Sequence, residues 1–157
     1  MRLIAQDTWR EQRWKNGAGT THEIWRTPDH DNYEVRVSLA EVTRSGSFSM
    51  FPGYRRWSFL VGAARIELIN VSAFQLVAAG DHLVLPGEAA LSANLRAGST
   101  HLLNVLARVS IVVGHGRVAH PVRFVFALVP RPGLARWQSG VYEPAEPADT
   151  TDCIWIA

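Results

Sequence analysis

The chain predicts an all-β sandwich or barrel. Three observations carry that expectation. Short apolar runs recur along the whole length, turn residues separate them, and no window sustains an apolar stripe of 3.6-residue period. Many short strands at such spacing are the mark of a sandwich or barrel.

The elements follow in order. Tyr33–Ala40 alternates, with Tyr33, Val35, Val37 and Leu39 on one side and Glu34, Arg36, Ser38 and Ala40 on the other. Trp57–Val61 and Arg65–Ile69 flank Gly62-Ala63-Ala64, which reads as a tight hairpin. Phe74–Val77 and His82–Leu85 form a further pair of strands around Ala78-Ala79-Gly80-Asp81. Ala89–Leu95 alternates weakly, and its Ser, Asn and flanking Gly residues argue against a long helix. His101–Ser110 and Ile111–Val113 are expected strands, with Gly114-His115-Gly116 turning the chain. Val122–Val129 reads as a fully buried strand closed by Pro130. Trp137–Tyr142 and Cys153–Ile156 are late strands, with 143–147 an exposed loop between them.

At 157 residues this is expected to be one domain, 1–157, with ample surface to bury. The hydrophobic fraction of 47% and the charged fraction of 19% are ordinary for a globular protein. The formal charge is only +2 and the basic residues never cluster, which argues against nucleic acid as a partner. No apolar run approaches the length of a membrane span, and Met1–Asp7 is too short an apolar stretch for a signal peptide. Cys153 is the single cysteine, so an intrachain disulfide is excluded and a reducing compartment suits the chain. A cytoplasmic location is therefore expected.

The chemistry is concentrated in few places. The six histidines form no His-x-His pair and no spacing that suggests a metal site, so no metal or other cofactor is expected. A Gly-x-Ser-x-Gly elbow is missing, and Cys153 lies in an apolar run as a packed small hydrophobe. No catalytic residue is assigned on these grounds. Trp14-Lys15-Asn16-Gly17-Ala18-Gly19-Thr20-Thr21 holds the only lysine, against fifteen arginines. A compact ammonium, an amide, and glycines that let the backbone approach a ligand all suit a small anion. Gly17 and Gly19 could equally serve a bulge or turn. Lys15 comes before the glycines and so does not fit a phosphate loop. Phe51-Pro52-Gly53-Tyr54 suits a type II turn. Arg56, on a strand face with Ser58, could clamp a carboxylate or pair with an acid. Asn104, between leucines, is a buried polar group in need of partners, and Arg108 is expected on its face.

These segments together resemble the HutD/Ves family of small cupin-like proteins, which have no established catalytic activity. The resemblance rests on Trp14–Ile24, Val35–Val42, Gly46–Tyr54 and Arg56. Leu85–Glu88 and Asn104–Arg108 are weaker matches, and little can be read after about residue 110. The resemblance implies two fused cupin-like halves, a bicupin. It also implies a regulatory role in histidine utilisation for HutD-type members, through binding a pathway intermediate, and a link with stress for Ves-type members. Formylglutamate and urocanate, both carboxylates, are the ligands it suggests. Leu102 replaces the acidic residue that members commonly carry two positions before the asparagine, and Ala18 replaces a glycine.

The expected function is thus non-enzymatic binding of a small carboxylate. Lys15, Asn16 and Arg56 would supply the polar contacts. Ser38, Glu41 and Asn104 would orient them, and Trp14 and Phe48 would wall the pocket. A homodimer is compatible with the sequence. The rival expectation is a cupin-fold isomerase, epimerase or lyase, with Glu23 or Glu41 as general base and Lys15 or Arg56 stabilising an enolate-like charge. A protein-interaction module, betrayed by a large exposed apolar patch, is a third.

Overall fold

The computed structural model describes residues 1–157 and contains no α-helix. Its strands are β1 (Arg2–Ile4), β2 (Arg10–Arg13), β3 (Gly19–Thr27), β4 (Val35–Val42), β5 (Gly46–Ser47), β6 (Arg55–Leu60), β7 (Ile66–Ile69) and β8 (Ala73–Leu76). They continue with β9 (His82–Pro86), β10 (Ser92–Asn94), β11 (Thr100–Ala107), β12 (Val113–His115), β13 (Val122–Ala127), β14 (Ser139–Glu146) and β15 (Cys153–Ile156). One 3-10 turn spans Gln6–Thr8. The chain divides into two compact units, one of 10–109 and one of 1–9 with 110–157.

The 10–109 unit is a sandwich of two antiparallel sheets. The larger has the order β2-β3-β4-β11-β6-β9 and the smaller the order β5-β10-β7-β8. At its centre β4 and β11 pair over eight residues, and β6 joins the far side of β11. Alternation along these strands sends Ala40, Val42, Leu60 and Leu102 inward, where they pack on Ile66, Leu68, Leu76 and Ala93 of the smaller sheet. The unit of 1–9 and 110–157 is one sheet, β1-β14-β13-β15-β12. Val122, Val125, Ala127, Cys153 and Trp155 are part of its own apolar cluster.

Several elements differ from the sequence expectation. Trp57–Val61 and Arg65–Ile69 do not form a hairpin, because β6 belongs to the larger sheet and β7 to the smaller. Gly62 marks a close backbone approach there. A Cβ at that position would lie 2.4 Å from Thr100 Oγ1 and 2.6 Å from the His101 nitrogen. The real hairpin is β7–β8. Gly114 and His115 lie within β12, under the ring of Trp155, and not in a turn. Residues 143–146 are the exposed end of β14, so their polarity marked exposure and not a loop. Ser92–Asn94 is the only regular structure within Ala89–Leu95. Strand β11 stops at Ala107, and Arg108 lies beyond it, donating from Nη2 to the Asn32 carbonyl at 2.8 Å.

Strands β2 and β3 are joined by 14–18. The Trp14 nitrogen donates to the Gly19 carbonyl at 3.0 Å, and the Gly17 nitrogen to the Trp14 carbonyl at 3.0 Å. The Ala18 carbonyl accepts from the Thr43 and Arg44 nitrogens at 2.9 and 3.2 Å, fixing this hairpin on the end of β4. Gly19 is needed because a Cβ would come 2.4 Å from the Glu41 carbonyl oxygen and 3.2 Å from the Trp14 ring. We expect Gly19→Ala to destabilise the protein by about 1–3 kcal/mol through overpacking against backbone. Urea unfolding monitored by circular dichroism would measure it, and an unchanged midpoint would contradict this role.

Candidate functional site

The inner face of the larger sheet continues beyond its apolar core into an open cavity of about 470 Å³. Cross-strand register builds its walls. Ser38, Asn104 and Ser58 lie side by side across β4, β11 and β6. Two residues along each strand, Arg36, Leu106 and Arg56 form the next row. Ser38, Asn104, Arg36, Leu106 and Arg56 all line the cavity.

Within the first row Ser58 Oγ donates to Asn104 Oδ1 at 2.6 Å. That bond occupies one lone pair of Asn104 Oδ1 and leaves its Nδ2 hydrogens for a guest. Around the opening stand Trp14, Lys15, Asn16, Phe48 and Phe51. The Trp14 and Phe48 rings meet edge to face, 5.2 Å between centroids, and Trp14 Nε1 donates to Thr21 Oγ1 at 2.8 Å.

Arg56 is the decisive group. It is only 7% exposed, and no carboxylate pairs with it. Its Nη2 donates to the Ser49 carbonyl at 2.8 Å, its guanidinium lies 5.0 Å from the centre of the Phe51 ring, and its Nε is buried without a partner. Burial, helped by the neighbouring charge of Arg36, lowers its pKa to about 10. Arg36 is different. Its Nε likewise makes no hydrogen bond, but it is ion-paired 2.8 Å from Glu23 Oε2, and Glu23 also meets Arg10 at 2.9 Å and Arg26 at 3.5 Å. Four cations line the cavity, Arg13, Lys15, Arg36 and Arg56, and no carboxylate does.

The structure gathers Trp14, Lys15, Asn16, Ser38, Phe48, Arg56 and Asn104 around this one cavity. Gly17, Gly19 and Glu41 are not among its walls. They open on a separate depression with Glu11, Arg13, Thr20 and His22. Strand parity explains Glu41, which is three residues from Ser38 and so points to the opposite face. The hairpin's backbone donors are also engaged. The Gly17 nitrogen serves Trp14, and the Ala18 nitrogen donates to Asn16 Oδ1 at 3.0 Å. Asn16 further donates from Nδ2 to the Ser47 carbonyl at 3.0 Å, so its first task is to tie the hairpin to β5. Lys15 stands exposed at the mouth with no ion pair. Arg36, Ser49, Phe51 and Leu106 were not singled out from sequence. For Arg36 the signal was present, since alternation puts it on the face of Ser38.

An open sandwich of antiparallel sheets with a polar cavity at one end defines a cupin-like protein, and solved structures agree. KdgF from Halomonas sp. aligns with a TM-score of 0.53 at 11% identity, covering 70% of this chain and 94% of that one. HutD from Pseudomonas fluorescens SBW25 aligns with a TM-score of 0.82 at 23% identity, covering 98% of this chain and 95% of that one. The chain belongs to the HutD family, whose model matches residues 6–130, further than the sequence motifs alone reached. Among curated relatives, an uncharacterized 21.2 kDa protein in the hutC 3′ region of Pseudomonas putida is 29% identical over 68% of this chain. Protein Ves of Citrobacter koseri is 32% identical over 60% of it. The matches span 57% and 51% of those relatives, little more than half their length.

Holding Arg56 charged in a dry wall opposes folding. Its pKa is held below its unfolded value, so the penalty is full below about pH 10 and is relieved only as pH rises beyond that. We therefore expect Arg56→Met to raise the melting temperature of the free protein at pH 7.5, with a gain of about 1 kcal/mol. Differential scanning calorimetry tests this, and a clear loss of stability would show that Arg56 is a structural ion.

Proposed function

We propose that the chain binds a small carboxylate in the cavity of the 10–109 unit and acts by binding, not by turnover. The observation that carries this reading is Arg56, a buried guanidinium with no carboxylate partner and an unsatisfied Nε. A carboxylate seated against it would supply the missing charge and accept its free hydrogens. Asn104 Nδ2 offers a further donor from the adjacent row. Trp14, Phe48, Phe51 and Leu106 give the rest of the guest an apolar and aromatic wall.

Two observations favour binding over catalysis. Glu23 is engaged with three arginines, and Glu41 opens away from the cavity. Neither stands where a general base would act on a guest beside Arg56. Family membership adds the context. The reading extends to a regulatory, cytoplasmic role of HutD type, with a urocanate- or formylglutamate-like acid of histidine utilisation as the guest. It also takes the two compact units as unequal halves of a bicupin, the larger one carrying the site.

A thermal-shift panel of urocanate, formylglutamate, histidine, glutamate and neutral sugars tests the proposal. A guest at 100 times its dissociation constant adds about 2.7 kcal/mol of stability. We expect a shift with at least one carboxylate and none with the sugars. Arg56→Met should weaken that binding by about a hundredfold, a loss on the scale of a buried charge-assisted pair. Lys15→Ala, at an exposed mouth, should weaken it by no more than about fivefold. Silence across every carboxylate would end the proposal.

A further inference from the structure

We infer that Glu23 sets the charge the cavity accepts, by pairing with Arg36 so that Arg56 is the one buried cation in the wall without a carboxylate and the cavity takes a single carboxylate there. This rests on the carboxylate-binding reading above and deepens it.

The argument is one of charge accounting. Arg10, Arg26 and Arg36 are knit to Glu23, Asp29 and Asp31. Arg10 meets Asp29 at 2.9 Å, Arg26 meets Asp29 at 3.0 Å and Asp31 at 3.3 Å, and Glu23 touches all three arginines. Three cations face three anions, so the network sums to zero. Its inner members are well covered, the side chains of Glu23 and Arg36 being 12% and 13% exposed. There a unit charge is poorly screened. Its outer members, Asp29 and Asp31, lie in solvent.

Glu23 can do this because of the β3 register. It pairs with Ser38, and the register then shifts between Glu23 and Trp25. That shift lets Glu23 reach Arg36 from the neighbouring strand, two residues further along β4. Arg13 and Lys15 are also cationic but exposed, so solvent screens them. A first carboxylate therefore cancels the only unbalanced buried charge. A second placed beside Arg36 would meet the negative charge of Glu23. The ligand class is a monocarboxylic acid with a neutral remainder, or a longer diacid whose second carboxylate stays at the mouth.

Propionate and succinate, titrated calorimetrically into the purified protein, give the test. Wild type should bind propionate at least as tightly as succinate. Glu23→Gln leaves Arg36 unbalanced, and the succinate-to-propionate affinity ratio should rise on the order of tenfold. Arg36→Gln unbalances Glu23 instead and should move the ratio the other way. Glu23→Asp, which keeps the charge, should hold the wild-type ratio. The ratio is insensitive to a general loss of fold, which would lower both affinities together. If Glu23→Gln is too unstable to titrate, the opposite shift in Arg36→Gln still decides the matter. Unchanged ratios in the charge-altering variants would overturn the role of Glu23 while leaving the cavity a carboxylate site. Absence of binding by wild type to any carboxylate of the earlier panel would overturn the site itself.

Discussion

The register of β4, β11 and β6 is the constraint from which the rest follows. Asn104 sits opposite Ser38 on one side and Ser58 on the other, and Leu106 opposite Arg36 and Arg56. Because side chains alternate, a slip of one residue on any of these strands would turn its polar row outward and its buried valines and phenylalanine inward. The same alignment makes one surface serve two purposes. Ala40, Leu102 and Leu60 form the row below, fully inside the core. Moving along the strands, apolar core gives way to hydrogen-bonded polar groups and then to guanidinium groups within two further rows. Leu102 belongs to the apolar row, so a carboxylate there would enter the core cluster beside Leu60.

The two cavity arginines show how differently a sheet can hold the same group. Arg36 is ion-paired with a carboxylate on the next strand. Arg56 has a single carbonyl, an aromatic face and a lowered pKa. Folding tolerates that because packing elsewhere in the unit is dense and apolar. Sites of this kind are where local stability and usefulness part company.

Much of this was legible in the sequence, for particular reasons. Alternation marked β4, and branched and aromatic runs marked β13 and β15. Gly53, with φ of 83° and a hydrogen bond from Tyr54 to the Phe51 carbonyl at 3.2 Å, forms the turn that Pro52-Gly53 predicted. Strands β2 and β3 were not legible. The first is wholly exposed and polar, and the second loses its alternation where the register shifts after Glu23. Of the motif around Lys15, Trp14, Lys15 and Asn16 line the cavity and its glycines do not. Its glycines accommodate Arg44, Trp14 and the backbone of Glu41, and the Gly17 and Ala18 amides are bonded within the hairpin. Arg56 drew notice, but its lack of an acidic partner is a fact of three dimensions. No spacing in the chain could reveal it.

The lacing of the 14–18 hairpin has a kinetic consequence. Asn16 ties it to Ser47, and Ala18 ties it to Thr43 and Arg44, so the mouth of the cavity is a fixed frame. Were the cavity to hold the proposed carboxylate, its arrival and departure would be governed by different groups. Exposed Lys15 and Arg13 act on the approach, where their pull fades as ionic strength rises. Arg56, shielded from solvent, acts on the residence time, which salt touches far less. Such a protein would release its guest at much the same rate in dilute or salty surroundings, while the rate of capture would carry the imprint of the medium.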